Sequence, residues 1–403
     1  FANIVINAYP GFEITSKEKE ENIKGYLKKI LEEDENTDFY GLFRNGELMG
    51  GMRLHDFKMN YFSNIIDAGG IGLIAVDLLH KKEKVCKEIM EYFMKYCQKN
   101  GQYIALLYSF RTSFYKKMGF AYGPKMSHYR FKPEWLPNKG DKEKVVYLSD
   151  DDKEELKECY NHYVSKTHGM IKKTDFELRK IFGRYENRVV GYKEEDHLEG
   201  YMVFSFKRKN EENFIKNDLE IKELIYNSRE ALMGLFSFLN TQKDQFERII
   251  MNTQDDDFYH ILDEPLDEAD KLIPSVYHQS NLQGVGLMYR IIDFEGLISQ
   301  SQNRNFNDKN LTISIKIDDS FVEKNDKEWI VDFSDGVPSI DDQAQPECEL
   351  RIDISELSSL FMGVVSFKSL FDYGLVEISD NDYLEIIDEL FAVKKSPECI
   401  TEF

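Results

Sequence analysis

Positive charge, cysteine and long apolar runs are all scarce in this 403-residue chain. The 52 Lys and Arg residues against 73 Asp and Glu leave a net charge of −21, which repels a phosphate backbone and attracts cationic partners over long range. Nucleic acid is therefore not expected as the main ligand. The five cysteines, Cys86, Cys97, Cys159, Cys348 and Cys399, are odd in number, scattered and without CxxC spacing. Neither a disulfide framework nor a zinc site is indicated, no metal is expected, and a reducing cytoplasm fits this cysteine usage. No apolar stretch approaches the ~20 residues of a membrane span, and no signal-peptide pattern is visible.

What is present is ample core material. Apolar residues make up 42% of the chain, with 29 Phe and 23 Tyr, so it is globular rather than disordered. The length exceeds one ordinary core, and changes of pattern suggest three domains, at 1–135, 136–283 and 284–403, of mixed α+β character.

In the first, Asn45-Gly46 between two apolar runs predicts a type I′ hairpin within 38–56. "GGIGLIAVD" (69–77) reads as a buried strand. Val85, Ile89, Tyr92, Phe93 and Tyr96 then recur on one helical face, which Asn100-Gly101 ends. A second buried strand (102–110), a short helix "RTSFYKKMG" and a closing strand over 120–131 complete the set. The same order returns about 150 residues later: hairpin "RVVGYKEEDHLEGYMVFSF", strand "DLEIKELIYN", helix "SREALMGLFSFLNTQKD" and strand "QFERIIMNT". From Gly284 the pattern changes to an α+β region. "LTISIKIDD" alternates strictly, and a helix is expected from Ser355 to Gly374. The chain ends in "KSPECITEF" (395–403), too apolar for a frayed terminus, which predicts that it docks.

Function becomes legible between Gly69 and Phe120. A buried strand, with Ile74, Ala75 and Val76 near its end, runs into a helix whose start carries Lys81, Lys82 and Lys84 before Val85 and Cys86. Free N–H groups, the positive dipole end and three lysines together suit a pyrophosphate, although a basic solvated turn would read the same way. "ALLYSFRTSFYKKMGF" next places Tyr115 one turn before Gly119, where it can also be an ordinary buried aromatic. Cys86 and Cys97 have no His/Asp partner at a telling spacing and read as packing residues. His55, His80 and His128 read as surface or satisfied side chains.

These residues resemble the GNAT acyltransferase superfamily, and with the "C-x-T-x-F" ending the chain resembles the Eis (enhanced intracellular survival) N-acetyltransferases along essentially its whole length. In that superfamily, small residues usually stand at the positions of Lys84 and Cys86 and let a phosphate approach the backbone. The resemblance implies tandem GNAT folds, catalytic then degenerate, followed by a sterol-carrier-protein-like domain. It implies acetyl-CoA as co-substrate, bound by Ile74, Ala75, Val76, Lys81, Lys82, Lys84, Val85 and Cys86. It further implies Tyr115 as general acid, the Phe403 carboxylate as general base, and a homo-oligomer, a hexamer. The charge of −21 suits a cationic amine acceptor, an aminoglycoside, polyamine or lysine, without choosing among them. The competing reading is a non-catalytic lipid- or acyl-CoA-binding protein using its C-terminal domain.

Overall fold

The computed structural model describes residues 1–209, 213, 217–267, 269 and 271–403. Ala2–Ala8 (α1) packs Ile4 and Val5 against Ala75, and Lys17–Glu33 (α2) starts at Ser16, whose hydroxyl accepts the Lys19 N–H. Thr37–Arg44 (β1) and Glu47–Tyr61 (β2) form the expected hairpin, with φ of 50° at Asn45 and 84° at Gly46. β2 is longer than expected. It turns through Phe62 and Ser63, both left-handed, into Asn64–Val76 (β3), which therefore starts before Gly69. Val85–Lys99 (α3) buries Val85, Ile89, Phe93 and Cys97 on one face. Ile104–Tyr108 (β4), Thr112–Lys116 (α4) and Ala121–Tyr122 (β5) follow.

The closing strand expected over 120–131 is broken at Pro124. Only β5 stays in the first sheet; Met126–Phe131 (β6) pairs with a strand of the second sheet instead. The chain falls into two interleaved compact units, 1–124 with 167–174 and 286–403, and 125–166 with 175–285.

The second unit contains β6, Val145–Tyr147 (β7), Lys153–Lys166 (α5), Asp175–Gly183 (α6), Arg188–Glu194 (β8), His197–Arg208 (β9), Asn217–Tyr226 (β10), Arg229–Asn240 (α7) and Arg248–Thr253 (β11). A small hairpin, Leu272–Ile273 (β12) with Tyr277–His278 (β13), and Leu282–Gly284 (β14) close it. The expected repeat is present as the hairpin β8–β9, then β10, α7 and β11, in a sheet ordered β14-β6-β11-β10-β9-β8-β7.

The chain re-enters the first unit at Leu287–Ile291 (β15), buried at every position, which inserts between β4 and β5 to give β1-β2-β3-β4-β15-β5. Phe294–Gln300 (α8) leads to a five-stranded sheet of Leu311–Asp318 (β16), Glu328–Ser334 (β17), Val337–Ile340 (β18), Cys348–Asp353 (β19) and, further on, Val376–Ile378 (β20). The helix expected from Ser355 to Gly374 is two, Ile354–Phe361 (α9) and Phe367–Asp372 (α10). Gly363, at φ 70°, separates them, and Asp353 rather than Ser355 supplies the cap. Leu384–Phe391 (α11) is the last helix. One apolar cluster runs from Phe57, Ala68, Leu106 and Tyr289 through to Phe306, Phe333, Phe361 and Phe391, so the C-terminal region shares its core with one face of the first sheet.

Candidate active site

The site begins with a fault in the first sheet. β3 and β4 pair in parallel only from Ala68/Ile104 to Ile71/Leu107. β3 then continues to Val76, whereas β4 ends at Tyr108. On the other side of β3 the register with β2 slips between Gly51 and Arg53, and Leu73 takes φ 44°, the mark of an extra residue. Such a bulge turns the strand and increases its twist. Among the described residues, the edge of β3 from Gly72 to Val76 consequently has no strand partner on the β4 side. Ile74 and Val76 are partly buried there and Ala75 is buried. The Ile74 carbonyl accepts a hydrogen bond of 3.0 Å from the Tyr9 hydroxyl.

Beyond β3, a single 3-10 turn at Leu78–His80 and a loop at 81–84 replace the helix expected from 80, and α3 begins at Val85. Lys82 and Lys84 have φ of 70° and 63°, so Lys84 does not continue the helix; it holds a left-handed conformation that glycine would adopt without strain. No side chain caps α3, which leaves its first-turn donors, including those of Val85 and Cys86, facing outward beside the exposed Lys81, Lys82 and Lys84. Arg44 ties the loop down, donating to the Glu83 carbonyl at 3.1 Å and to the Glu88 carboxylate at 2.5 Å. Glu83 and Glu88 thus share Arg44, Glu83 also meeting His80, and three lysines stand at the helix start to meet an anion. This backbone and charge set fit a diphosphate group.

Tyr115 lies on α4 and is 3% exposed, with ring partners Phe114 at 5.2 Å, Phe120 at 6.3 Å and Phe110 at 6.4 Å. Burial, then the neighbouring Cys86 thiol and Tyr9 hydroxyl, push its pKa up, so the hydroxyl holds its proton at neutral pH. Burial also pushes the Cys86 thiol up to about 11, which keeps it protonated and agrees with a packing role. Gly119, which ends the α4 turn at φ 81°, is required by space as well as by backbone. A methyl group there would lie 1.3 Å from Arg290 Nη1, whose guanidinium donates to the Met118 carbonyl at 2.6 Å.

The tail docks, as expected. Residues 167–174 are inserted between helices of the second unit in sequence but belong to the first, and they hold the tail. The His168 carbonyl accepts the Glu398 N–H at 2.8 Å, and Gly169 leaves room for Pro397. Cys399 is fully buried, and Tyr108 Oη donates to the Thr401 carbonyl at 3.1 Å. The Phe403 ring packs edge-on against Phe57 at 4.9 Å and lies near Tyr108 at 5.1 Å and His55 at 5.6 Å. Its carboxyl carbon would be 3.2 Å from a methyl group at Gly72.

The candidate residues thus form two groups. Tyr115 and Cys86 belong to the apolar cluster of α3, with Tyr9 reaching Tyr115 from the cluster of α1, while Phe403 packs on the cluster of the opposite sheet face. The ring partners of Tyr115 and of Phe403 do not overlap among the described residues. What lies between them is β3 from Gly72 to Ile74, at the opening. Tyr9 escaped the sequence reading, because a single tyrosine after a short helix has no signature.

Residues 4–123 match the family model of an acetyltransferase (GNAT) domain, residues 167–291 match a second acetyltransferase (GNAT) domain, and residues 301–400 match a sterol carrier protein domain. No curated protein matches the chain. Among solved structures it is similar to a GCN5-related N-acetyltransferase from Anabaena variabilis, at 16% identity and TM-score 0.81, over 100% of this chain and 96% of that one. A GCN5-related N-acetyltransferase from Kribbella flavida aligns at 18% identity and TM-score 0.77, over 100% and 97%. Eis1 from Mycobacterium abscessus aligns at 18% identity and TM-score 0.73, over 91% of each chain. At these identities the likeness to solved structures is one of fold.

Proposed function

Because the chain belongs to the GNAT acyltransferases, in an Eis-like form with two GNAT domains and a sterol-carrier-like domain, we propose that it transfers acetyl from acetyl-CoA to a primary amine of a cationic acceptor. The observation that carries this reading is the opening between β3 and β4, bordered by the uncapped start of α3, by Tyr115 and by the Phe403 carboxyl group. Acetyl-CoA supplies the acetyl thioester. The free edge at Ile74, Ala75 and Val76 offers strand-like hydrogen bonds to its amide-bearing arm. The N–H groups of Val85 and Cys86, with Lys81, Lys82 and Lys84, receive its diphosphate.

Transfer to an amine requires one group that accepts the amine's proton and another that protonates the departing sulfur. Tyr115 keeps its proton at neutral pH and can donate it. An α-carboxylate, with an ordinary pKa near ~3.5, is ionised there; at Phe403 it can orient an ammonium and take its proton directly or through one water. The charge of −21 supports an aminoglycoside, a polyamine or a lysine side chain as acceptor.

The test is to incubate the protein with acetyl-CoA and a panel of aminoglycosides, polyamines and lysine peptides, following release of the free thiol. Release dependent on an amine supports the reading. No release above the blank with any amine, while acetyl-CoA still binds by calorimetry, would overturn it and favour a binding role. A lipid-carrier role finds less support in the C-terminal core, where the rings of Phe306, Phe333 and Phe391 pack at 5.0–6.2 Å. A homo-oligomer, a hexamer, belongs to the same proposal, and sedimentation velocity tests it: a monomer would remove that part.

A further inference from the structure

β2 and β3 present an unusual pair of surfaces to the tail. Arg53, His55 and Phe57 alternate along β2 and so share one face, and the register sets Arg53 opposite Gly72 and His55 opposite Gly70. Both opposing positions lack a side chain. A methyl group at Gly70 would lie 2.1 Å from the Phe57 ring, the ring against which Phe403 packs. A methyl group at Gly72 would lie 3.2 Å from the Phe403 carboxyl carbon, 3.2 Å from Arg53 Nη2 and 3.5 Å from Arg53 Nε. The carboxyl group and the guanidinium therefore converge on the space that a side chain at Gly72 would occupy.

We propose that Arg53, across from Gly72, is the positioning residue that seats the Phe403 carboxylate at the opening between β3 and β4. Gly70 makes room for the aromatic floor and Gly72 for the carboxylate, while Arg53 supplies the charge-assisted hydrogen bonds that fix its direction. The arrangement deepens the proposed function and rests on its assignment of Phe403. Arg53 acts through the Phe403 carboxylate and not on the substrate itself. It acts by holding a flexible chain end where a fixed base is needed, since a loosely placed group loses rate steeply.

Carboxypeptidase A, which removes a C-terminal aromatic residue only when the chain end is free, reads the seat without reference to activity. In the full chain, release of phenylalanine is expected to be slow. Arg53→Met and Gly72→Ala should each release it roughly tenfold faster or more, because a charge-assisted contact or its site is lost. Arg53→Lys should fall between Arg53→Met and wild type. Circular dichroism confirms folding, and the lysine variant keeps the test valid if Gly72→Ala misfolds. In acetyl transfer, kcat should fall in the same order with the acetyl-CoA KM little changed. Release from folded Arg53→Met at the wild-type rate would overturn the seat, whatever the kinetics. Faster release with unchanged kcat would uphold the seat and instead remove Phe403 from the mechanism.

Discussion

Gly119→Ala is expected to be the most damaging single methyl group in the first unit. Gly119 sits at φ 81°, where an L-residue pays about 1–2 kcal/mol. The added carbon would come within 1.3 Å of Arg290 Nη1 and 2.8 Å of Ile354 Cγ2. Arg290 cannot simply step aside, because its Nη2 donates to both oxygens of Asp319 at 2.7 and 2.8 Å and the pair is buried. Breaking a buried pair costs about 3–5 kcal/mol, so the whole substitution should cost about 4–7 kcal/mol. The chain has two tryptophans, and Trp329 reports on this region: its indole donates to the Asn325 carbonyl at 3.3 Å, and the Asn325 amide donates to Asp319 at 3.2 Å. Urea unfolding followed by fluorescence in a Trp135→Phe background therefore measures the loss. With Arg290 and Asp319 both changed to alanine, the added cost of Gly119→Ala should shrink towards the backbone part, about 1–2 kcal/mol, plus whatever the remaining Ile354 contact costs. A loss under about 1 kcal/mol in the otherwise native chain would refute the argument, since that is less than the backbone term alone.

Tyr115→Phe should lower kcat roughly 10- to 1,000-fold while the acetyl-CoA KM stays within about threefold, as loss of a proton donor predicts; unchanged kcat would make Tyr115 a packing residue. Lys84→Gly should stabilise the loop by roughly 0.5–1 kcal/mol in urea unfolding, the relief of its left-handed backbone less the greater freedom of unfolded glycine, and should tighten acetyl-CoA binding measured by calorimetry. Weaker binding would make the Lys84 ammonium itself a phosphate contact. Burial, with Arg304 nearby and the Met362 carbonyl opposing, pushes the His168 pKa down to about 3. The unfolded chain then binds more protons between pH ~6.5 and ~3, and this residue should make stability fall by up to about 1.4 kcal/mol per pH unit as the pH drops through that window. His168→Gln should flatten the slope seen in Trp329-monitored urea midpoints; an unaltered slope would mean that His168 is protonated in the folded state.

Local patterns in the sequence announce much of this fold. Asn45-Gly46 and the Asn100-Gly101 stop depend on residues close together in the chain and are found where expected; of the predicted apolar face of α3, Val85, Ile89 and Phe93 are buried, whereas Tyr92 is 49% exposed. The second hairpin of the first sheet was hidden, because Phe62 and Ser63 take left-handed conformations without a glycine or asparagine to signal them. Strand membership was hidden for a different reason. β6 reads in the sequence as part of one closing strand with β5, and β15 is not read there at all, because nothing within either segment names its partner in a sheet formed by distant residues. At the site, the lysines within 81–84, Tyr115 and the docking tail stand out in the sequence, but 81–84 reads there as a helical turn and is a loop with left-handed Lys82 and Lys84. Tyr9, Arg53 and the segment at 167–174 do not stand out, since each acts through a contact with residues far along the chain. A clue to Arg53 does exist: alternate glycines at 70 and 72 in a strand, where side chains would normally pack, call for bulky neighbours.

The second unit separates what the fold provides from what the chemistry needs. Its strands repeat the fault of the first sheet: β10 and β11 pair only from Asp218/Arg248 to Ile221/Met251, and the register of β10 with β9 slips between Ile221 and Glu223. An opened pair of strands leading to a helix start is therefore present twice. At the second, Ser228 caps α7, its hydroxyl accepting the Ala231 N–H at 3.3 Å, and "YNSREALMG" offers no lysines and no glycine at the turn. One donor that could meet a phosphate is already satisfied by the chain itself. In the first unit the corresponding helix is uncapped, three lysines surround its start, and Tyr115 and the tail border the opening. Strand divergence is thus a property of the fold, whereas the proposed site for an anionic co-substrate needs a helix start that is left open and charged.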